Sequence, residues 1–187
     1  RAAGTKFTSE MEAFFEVCPC RIIGVTGSDG KTTTSTLISE ILKHAGHRVW
    51  TGGNIGTPLL DQAEHMTPDD LVVLELSSFQ LDGMFRFRAH IGVLTNITPD
   101  HLDRYDYCFQ NYVDAKMRIT QNQNSRDFFI YSGDDEVIWQ QLPKYDLRMK
   151  QLPFAAKNAV ASGAGDAFLL DGKFTATVGR ASVGIAT

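Results

Sequence analysis

The chain has few cysteines, no long apolar run and no run of basic residues, and each lack removes a class of protein. Its three cysteines, Cys18, Cys20 and Cys108, are too few and too unevenly placed for a disulfide framework or a four-ligand zinc site. They suggest a reducing cytosol. No stretch approaches the ~20 apolar residues of a membrane span, and the N-terminus lacks a charged-then-apolar signal pattern. Basic residues form no run or stripe, and the net charge of -4 leaves no electrostatic footprint for nucleic acid. Repeats and low-complexity segments are absent, and six prolines interrupt the chain only locally. What is there, 187 residues with 43% hydrophobic and 21% charged, suits one domain of ordinary size with a substantial core. Opening at Arg1 rather than methionine and closing after a glycine-rich stretch, the chain is expected to be a piece of a longer protein.

The stretch IIGVTGSDGKTTT, Ile22 to Thr34, organises the rest. A β-branched run predicts a buried strand, a glycine turn follows, and Lys31 to Ala45 carries Thr34, Leu37, Ile38, Ile41, Leu42 and Ala45 at helical spacing, with Gly46 as a helix stop. Strand, glycine loop and helix in that order bring unpaired N–H groups and the positive end of a helix dipole to one point, where polyphosphate binds. Gly27 and Gly30 give the loop its torsional freedom, Lys31 adds a mobile positive charge, and Thr32 or Thr33 offers a hydroxyl for Mg²⁺. The loop is tighter than the common GxxxxGK[ST] pattern, because Val25 stands where that pattern has its first glycine.

Around this cradle the chain predicts a parallel α/β sheet with helices on both faces. Ser9 caps a helix reaching Val17 and stopped by Pro19. His47 to Thr51 is a second strand, followed by GGNIG at Gly52 to Gly56, either a loop facing the cradle or a plain turn before a helix near Pro58 to His65. Leu71 to Leu76 is a central strand interrupted by Glu75, a carboxylate costly to bury unless paired and placed to hold a nucleotide's magnesium. Ile91 to Asn96 is another strand, delivering the polar cluster Thr98, Asp100, His101, Asp103, Arg104 and Tyr105, suited to metal binding, proton transfer or helix capping. A helix over Phe109 to Gln121 includes Lys116, which taken alone reads as a solvated or snorkelling lysine. Asp127 to Tyr131 is a strand, Asp134 to Gln141 a short helix, and Ala167 to Val178 a hairpin turning at Asp171-Gly172 in a region that reads as a sheet edge.

Four of these stretches, TGSDGKTT at Thr26 to Thr33, GGNIG, LELSSFQL at Leu74 to Leu81 and NITPDHLDRY at Asn96 to Tyr105, resemble the ATP-binding central domain of the Mur ligases. LELSSFQL and DHLDRY are most similar to the branch that adds D-glutamate to UDP-N-acetylmuramoyl-L-alanine. The resemblance implies a phosphate-loop α/β fold and a cytoplasmic, monomeric ligase that works through an acyl phosphate, with ATP and two Mg²⁺ ions. It implies nucleotide contacts from Thr26, Gly27, Ser28, Asp29, Gly30, Lys31, Thr32 and Thr33, and a catalytic set of Lys31, Glu75, His101 and Lys116. Thr32 and Glu75 would hold the first metal, Glu75 and His101 the second, with Lys116 joining as a carbamate, while Asn54 and Ser77 lie on the substrate side. No second glycine-rich fingerprint precedes Ile22 and no HNxxN-type helix start follows Val178. The expectation is therefore one ATP-binding domain over 1–187, with a leading segment (1–20), a core (21–142) and peripheral strands (143–187), and without the UDP-sugar-binding and C-terminal domains. Competing readings are a folylpolyglutamate synthetase-like ligase, a phosphate-loop kinase or GTPase, and a non-catalytic nucleotide-binding module.

Overall fold

Short β-branched runs separated by longer helical segments cannot pair with their sequence neighbours through tight turns, so they cross over and pair in parallel. The computed structural model describes residues 9–155, 167–170, 173–178 and 181–186. Along them run helix α1 (Glu10–Val17), strand β1 (Arg21–Thr26), α2 (Lys31–His44), β2 (Val49–Gly53), β3 (Leu71–Glu75), α3 (Ser78–Asp82), β4 (Ile91–Leu94), α4 (Phe109–Met117), β5 (Phe128–Ser132), α5 (Glu136–Gln141) and β6 (Lys150–Ala155). Strands β7 (Ala167–Leu170), β8 (Lys173–Val178) and β9 (Ala181–Ala186) follow. All nine described strands form one sheet in the order β2-β3-β1-β4-β5-β6-β7-β8-β9. Pairing is parallel from β2 through to β7 and antiparallel for β8 and β9. Leu170 pairs with Lys173 as a hairpin requires; the expected turn at Asp171-Gly172 lies outside the described residues.

Chain connections leaving β1 and β3, which are neighbours, run to opposite sides of the sheet, the arrangement that opens a crevice above the carboxyl ends of the strands. Alternation along the strands splits the core. Ile23, Val25, Val73 and Val93 pack under α2 against Ile38 and Leu42, while Ile22, Val72, Leu74 and Leu94 face the other layer with Phe14, Tyr112 and Met117. Helices therefore cover both faces, as the sequence implies.

Helix α2 departs from the predicted apolar stripe. Ile38 and Leu42 pack on the sheet, but Leu37 and Ile41 are 58% and 59% exposed. The residues pressed against the sheet are Ser35 and Ser39, both buried. Their hydroxyls bond back to the carbonyls of Lys31 and Ser35 (2.8 Å each), and Thr51 Oγ1 donates to Ser39 Oγ (2.9 Å). Small side chains with internally satisfied hydroxyls let the helix approach more closely than leucine would. The helix ends in a Schellman arrangement, with the Gly46 N–H on the Lys43 carbonyl and the His47 N–H on that of Leu42. The segment expected as a helix before His65 is a 3-10 turn, Leu60–His65, and the helix expected to reach Gln121 stops at Met117 and tightens into a 3-10 turn. Among the described residues no helix is long and apolar enough to cross a membrane.

Candidate functional site

Strand β1 ends at Thr26, whose hydroxyl is buried and donates to the Leu76 carbonyl (2.8 Å), so this side chain anchors the loop to the sheet rather than facing the crevice. Gly27 follows at φ 151° and Gly30 at 76°. A Cβ on Gly27 would stand 1.9 Å from Thr95 Oγ1, so only glycine fits. Ser28 turns inward. Its hydroxyl donates to the Thr98 carbonyl and accepts from the Thr98 N–H (2.9 Å each), which leaves the Tyr112 hydroxyl as the donor across the remaining 2.9 Å contact. The first intrahelical bond of α2 is Thr34 N–H to the Gly30 carbonyl (2.9 Å), and the N–H groups before it have no intrahelical acceptor.

Lys31, at the first position of α2, folds back so that Nζ donates to the Gly27 (2.9 Å) and Ser28 (2.7 Å) carbonyls. Beside it Glu75, 1% exposed at the end of interior strand β3, accepts from Thr32 Oγ1 (2.7 Å) and Asn54 Nδ2 (2.9 Å). The expected need for a partner is thus met twice. Gly53 makes this possible: at φ 101° its Cα approaches so closely that a Cβ would stand 2.1 Å from the Glu75 carbonyl oxygen. The Asn54 N–H also donates to that oxygen (2.8 Å), so the GGNIG loop faces the cradle, resolving the two readings left open by the sequence.

Lys116 is the largest surprise of burial. It is 2% exposed, its ammonium donates to the same Gly27 carbonyl (2.6 Å) and lies 4.6 Å from the centre of the Tyr112 ring. Burial, reinforced by the charge of Lys31, pushes it down to about 7, against the pull of Asp100 and Asp29. A solvated lysine is excluded. Lys31, Asn54, Ser77, His101 and Lys116 line one small cavity of about 130 Å³. His101, at φ 48°, lies against the Phe79 ring (centroids 5.4 Å) with Nε2 3.4 Å from Asp100 Oδ2. The Ser77 hydroxyl caps α3, in a reciprocal box with Gln80. Thr33 is exposed on the first turn of α2. Every expected site residue therefore lies at this loop or its cavity, although the hydroxyls of Thr26, Ser28 and Ser77 are engaged within the protein.

The residues that the sequence reading did not single out are Thr95 and Asn96, just past β4. The Asn96 side chain accepts from the Asp29 N–H and donates to the Asp29 carbonyl, and Thr95 Oγ1 donates to that carbonyl too. A Thr-Asn pair at the end of a strand carries no signal of its own; it gains its meaning only because β4 pairs beside β1. Among the described residues no group of three or more His, Cys, Asp or Glu side chains is close enough to hold a metal. The oxygen donors that do converge are the Thr32 hydroxyl and the Glu75 carboxylate, hard ligands of the kind magnesium selects.

A parallel α/β sheet with a lysine-bearing glycine loop at the crevice and a buried acid on the adjacent strand defines a phosphate-loop domain. Residues 25–177 match the family profile described as Mur ligase middle domain. Over 158 residues the chain is 52% identical to the UDP-N-acetylmuramoylalanine–D-glutamate ligase of Bacteroides thetaiotaomicron, covering 83% of this chain and 35% of that protein. It is 48% identical over 164 residues to the ligase of the same name from Christiangramia forsetii, covering 86% and 36%. The chain belongs to the Mur ligase family and corresponds to its middle domain. It spans about a third of the length of the curated relatives it matches. Among solved structures it resembles the MurF ligase of Thermotoga maritima in complex with ADP (TM-score 0.63, 20% identity, 94% of this chain and 42% of that one). It also resembles Escherichia coli FolC in complex with DHPP and ADP (TM-score 0.61, 14% identity, 98% and 54%). These likenesses establish the shared fold.

Proposed function

We propose that this chain is the Mg·ATP-binding part of a cytoplasmic ligase that joins D-glutamate to UDP-N-acetylmuramoyl-L-alanine in peptidoglycan precursor synthesis. The observation that carries the reading is the convergence of Lys31, Thr32, Glu75 and Lys116 on the carboxyl ends of β1 and β3, beside the N–H groups at the start of α2 that have no intrahelical acceptor. The substrate named for the curated relatives, at about half identity, favours D-glutamate over the folate ligase, which shares only the fold.

In this reading the loop amides and Lys31 receive the polyphosphate, and Lys31 leaves the Gly27 and Ser28 carbonyls to follow the transferring phosphoryl group. A substrate carboxylate attacks the γ-phosphorus, ADP departs, and the amine of D-glutamate attacks the resulting acyl phosphate with loss of phosphate. Magnesium, when bound, neutralises the anions that must meet. Thr32 and Glu75 fit that ion as they stand. Lys116 as an ammonium does not. Held near neutrality by burial, it presents a free amine whose nitrogen would add to CO₂ with loss of a proton, and the resulting carbamate oxygen would suit a second ion alongside Glu75 and His101. Asn54 and Ser77 flank the acceptor side of the cavity, and Asn54 also orients Glu75.

Calorimetric titration with a non-hydrolysable ATP analogue, with and without Mg²⁺, tests the reading. Magnesium-dependent binding is expected, weakened roughly 10- to 100-fold by Lys31→Ala, the loss of about 1.5–3 kcal/mol of charged hydrogen bonding. In the full-length parent, phosphate release that requires D-glutamate and the UDP-sugar acceptor is expected; release driven by a folate acceptor instead would reassign it.

A further inference from the structure

The loop from Gly27 to Gly30 belongs to no helix or strand, yet it must present its amides in one direction. One neighbouring residue ties down two successive peptides. Asn96 accepts the Ser28 N–H on its backbone carbonyl (3.0 Å) and the Asp29 N–H on Oδ1 (2.9 Å), and its Nδ2 donates to the Asp29 carbonyl (3.1 Å). The reciprocal pair on Asp29 fixes which end of the amide is which, since Oδ1 alone can accept from an N–H. Thr95 Oγ1 adds a 2.7 Å bond to the Asp29 carbonyl, and Thr95 N–H bonds the Thr26 carbonyl (3.0 Å). The Asp29 peptide immediately precedes Gly30, the left-handed residue (φ 76°) from which α2 starts. Its orientation therefore sets where the following N–H groups, Gly30 to Thr33, point.

We propose that Asn96 is a positioning residue for the nucleotide: its side-chain amide holds the phosphate loop in the receiving conformation before the ligand arrives. The inference rests on the proposed function, since it concerns the affinity of the same loop for a nucleoside triphosphate. The Asp29 N–H is engaged by Asn96, so Asn96 acts by directing the amides beyond it. Without the clamp the loop samples other peptide orientations, and binding must order it, which lowers affinity without removing any group that touches the phosphates. A carboxylate at this position accepts from the Asp29 N–H but repels the Asp29 carbonyl and adds negative charge beside the polyphosphate, so it is worse than a methyl group.

The test is titration of an Mg²⁺-bound, non-hydrolysable ATP analogue against wild type, Asn96→Ala, Asn96→Asp and a control, Asn122→Ala, in the full-length parent and in this chain. Asn122 bonds the Phe85 and Phe87 carbonyls (2.9 Å each), in a turn away from the loop. About a tenfold rise in Kd is expected for Asn96→Ala and a larger one for Asn96→Asp, both with the unfolding midpoint within a few degrees of wild type. The Asp29 amide should also exchange faster with solvent in Asn96→Ala, which alone removes its acceptor. Asn122→Ala should lower the midpoint and leave Kd unchanged, which separates positioning from general stability. Equal Kd for wild type and Asn96→Ala overturns the inference while leaving the nucleotide site intact. Absence of nucleotide binding by the wild-type parent overturns the functional reading and the inference with it.

Discussion

At Lys116 a single side chain carries opposite meanings depending on its surroundings. Exposed, it would be an ammonium of no use to a hard cation; buried against Tyr112 and facing Lys31, it is pushed down to about 7 and is substantially a neutral amine at physiological pH. Native mass spectrometry in bicarbonate buffer is expected to show an acid-labile carboxyl adduct on Lys116 that Lys116→Arg lacks. His90 illustrates the reverse use of a titratable group, at the other end of the sheet. Its Nδ1 accepts the Ile22 N–H (3.0 Å) while the His90 backbone N–H donates to the Ile22 carbonyl (2.9 Å), clamping the start of β1 to the residue before β4. Burial, then the charges of Arg88 and Arg21, hold it below its ordinary range against the pull of Asp127. Both states are neutral well above pH 6.5. As pH falls through that value the unfolded chain takes up the proton first, so stability is lost. Between pH 7.5 and pH 5, urea midpoints for wild type should therefore fall further than for His90→Gln.

The elements differ in how much change they absorb, and two glycines show it. In β1, a Cβ on Gly24 would meet the mobile Cδ1 of Ile119 at 2.8 Å, so Gly24→Ala is expected to cost about 1 kcal/mol. At the end of β2, a Cβ on Gly53 would meet the backbone oxygen of Glu75 at 2.1 Å, and φ is 101°. Neither obstacle can rotate away. Gly53→Ala should cost about 3 kcal/mol or more and push Glu75 from Thr32 and Asn54, so guanidinium unfolding and Mg²⁺-dependent nucleotide binding should both suffer, whereas Gly24→Ala should spare binding.

Across the whole molecule the crevice is supported from below by long-range polar ties. Arg88, preceding β4, makes two 2.8 Å bonds to Asp127, preceding β5, whose side chain is 1% exposed. Arg88→Ala would strand that carboxylate, at a cost of about 3 kcal/mol in chemical denaturation, and Arg88→Met with Asp127→Leu should recover most of it by removing the charge that was left buried. The sequence by itself determined strands β1 to β5, the β7–β8 hairpin, the glycine loop and the mostly parallel class of the sheet, because β-branched runs, glycine and helical spacing act locally; it marked neither β6 nor β9 nor the order of the strands. It did not determine the packed face of α2, where satisfied serine hydroxyls displace Leu37 and Ile41 from the sheet, nor the inward turn of Ser28. Burial of Lys116, the pairing of Glu75 with Asn54 and the clamp of Asn96 on Asp29 join residues from 21 to 89 positions apart in the chain. Contacts at such separations have no local spacing to betray them. Only the tertiary structure decided them, by bringing the carboxyl ends of β1, β2, β3 and β4 to one place where each polar group must find its partner away from water.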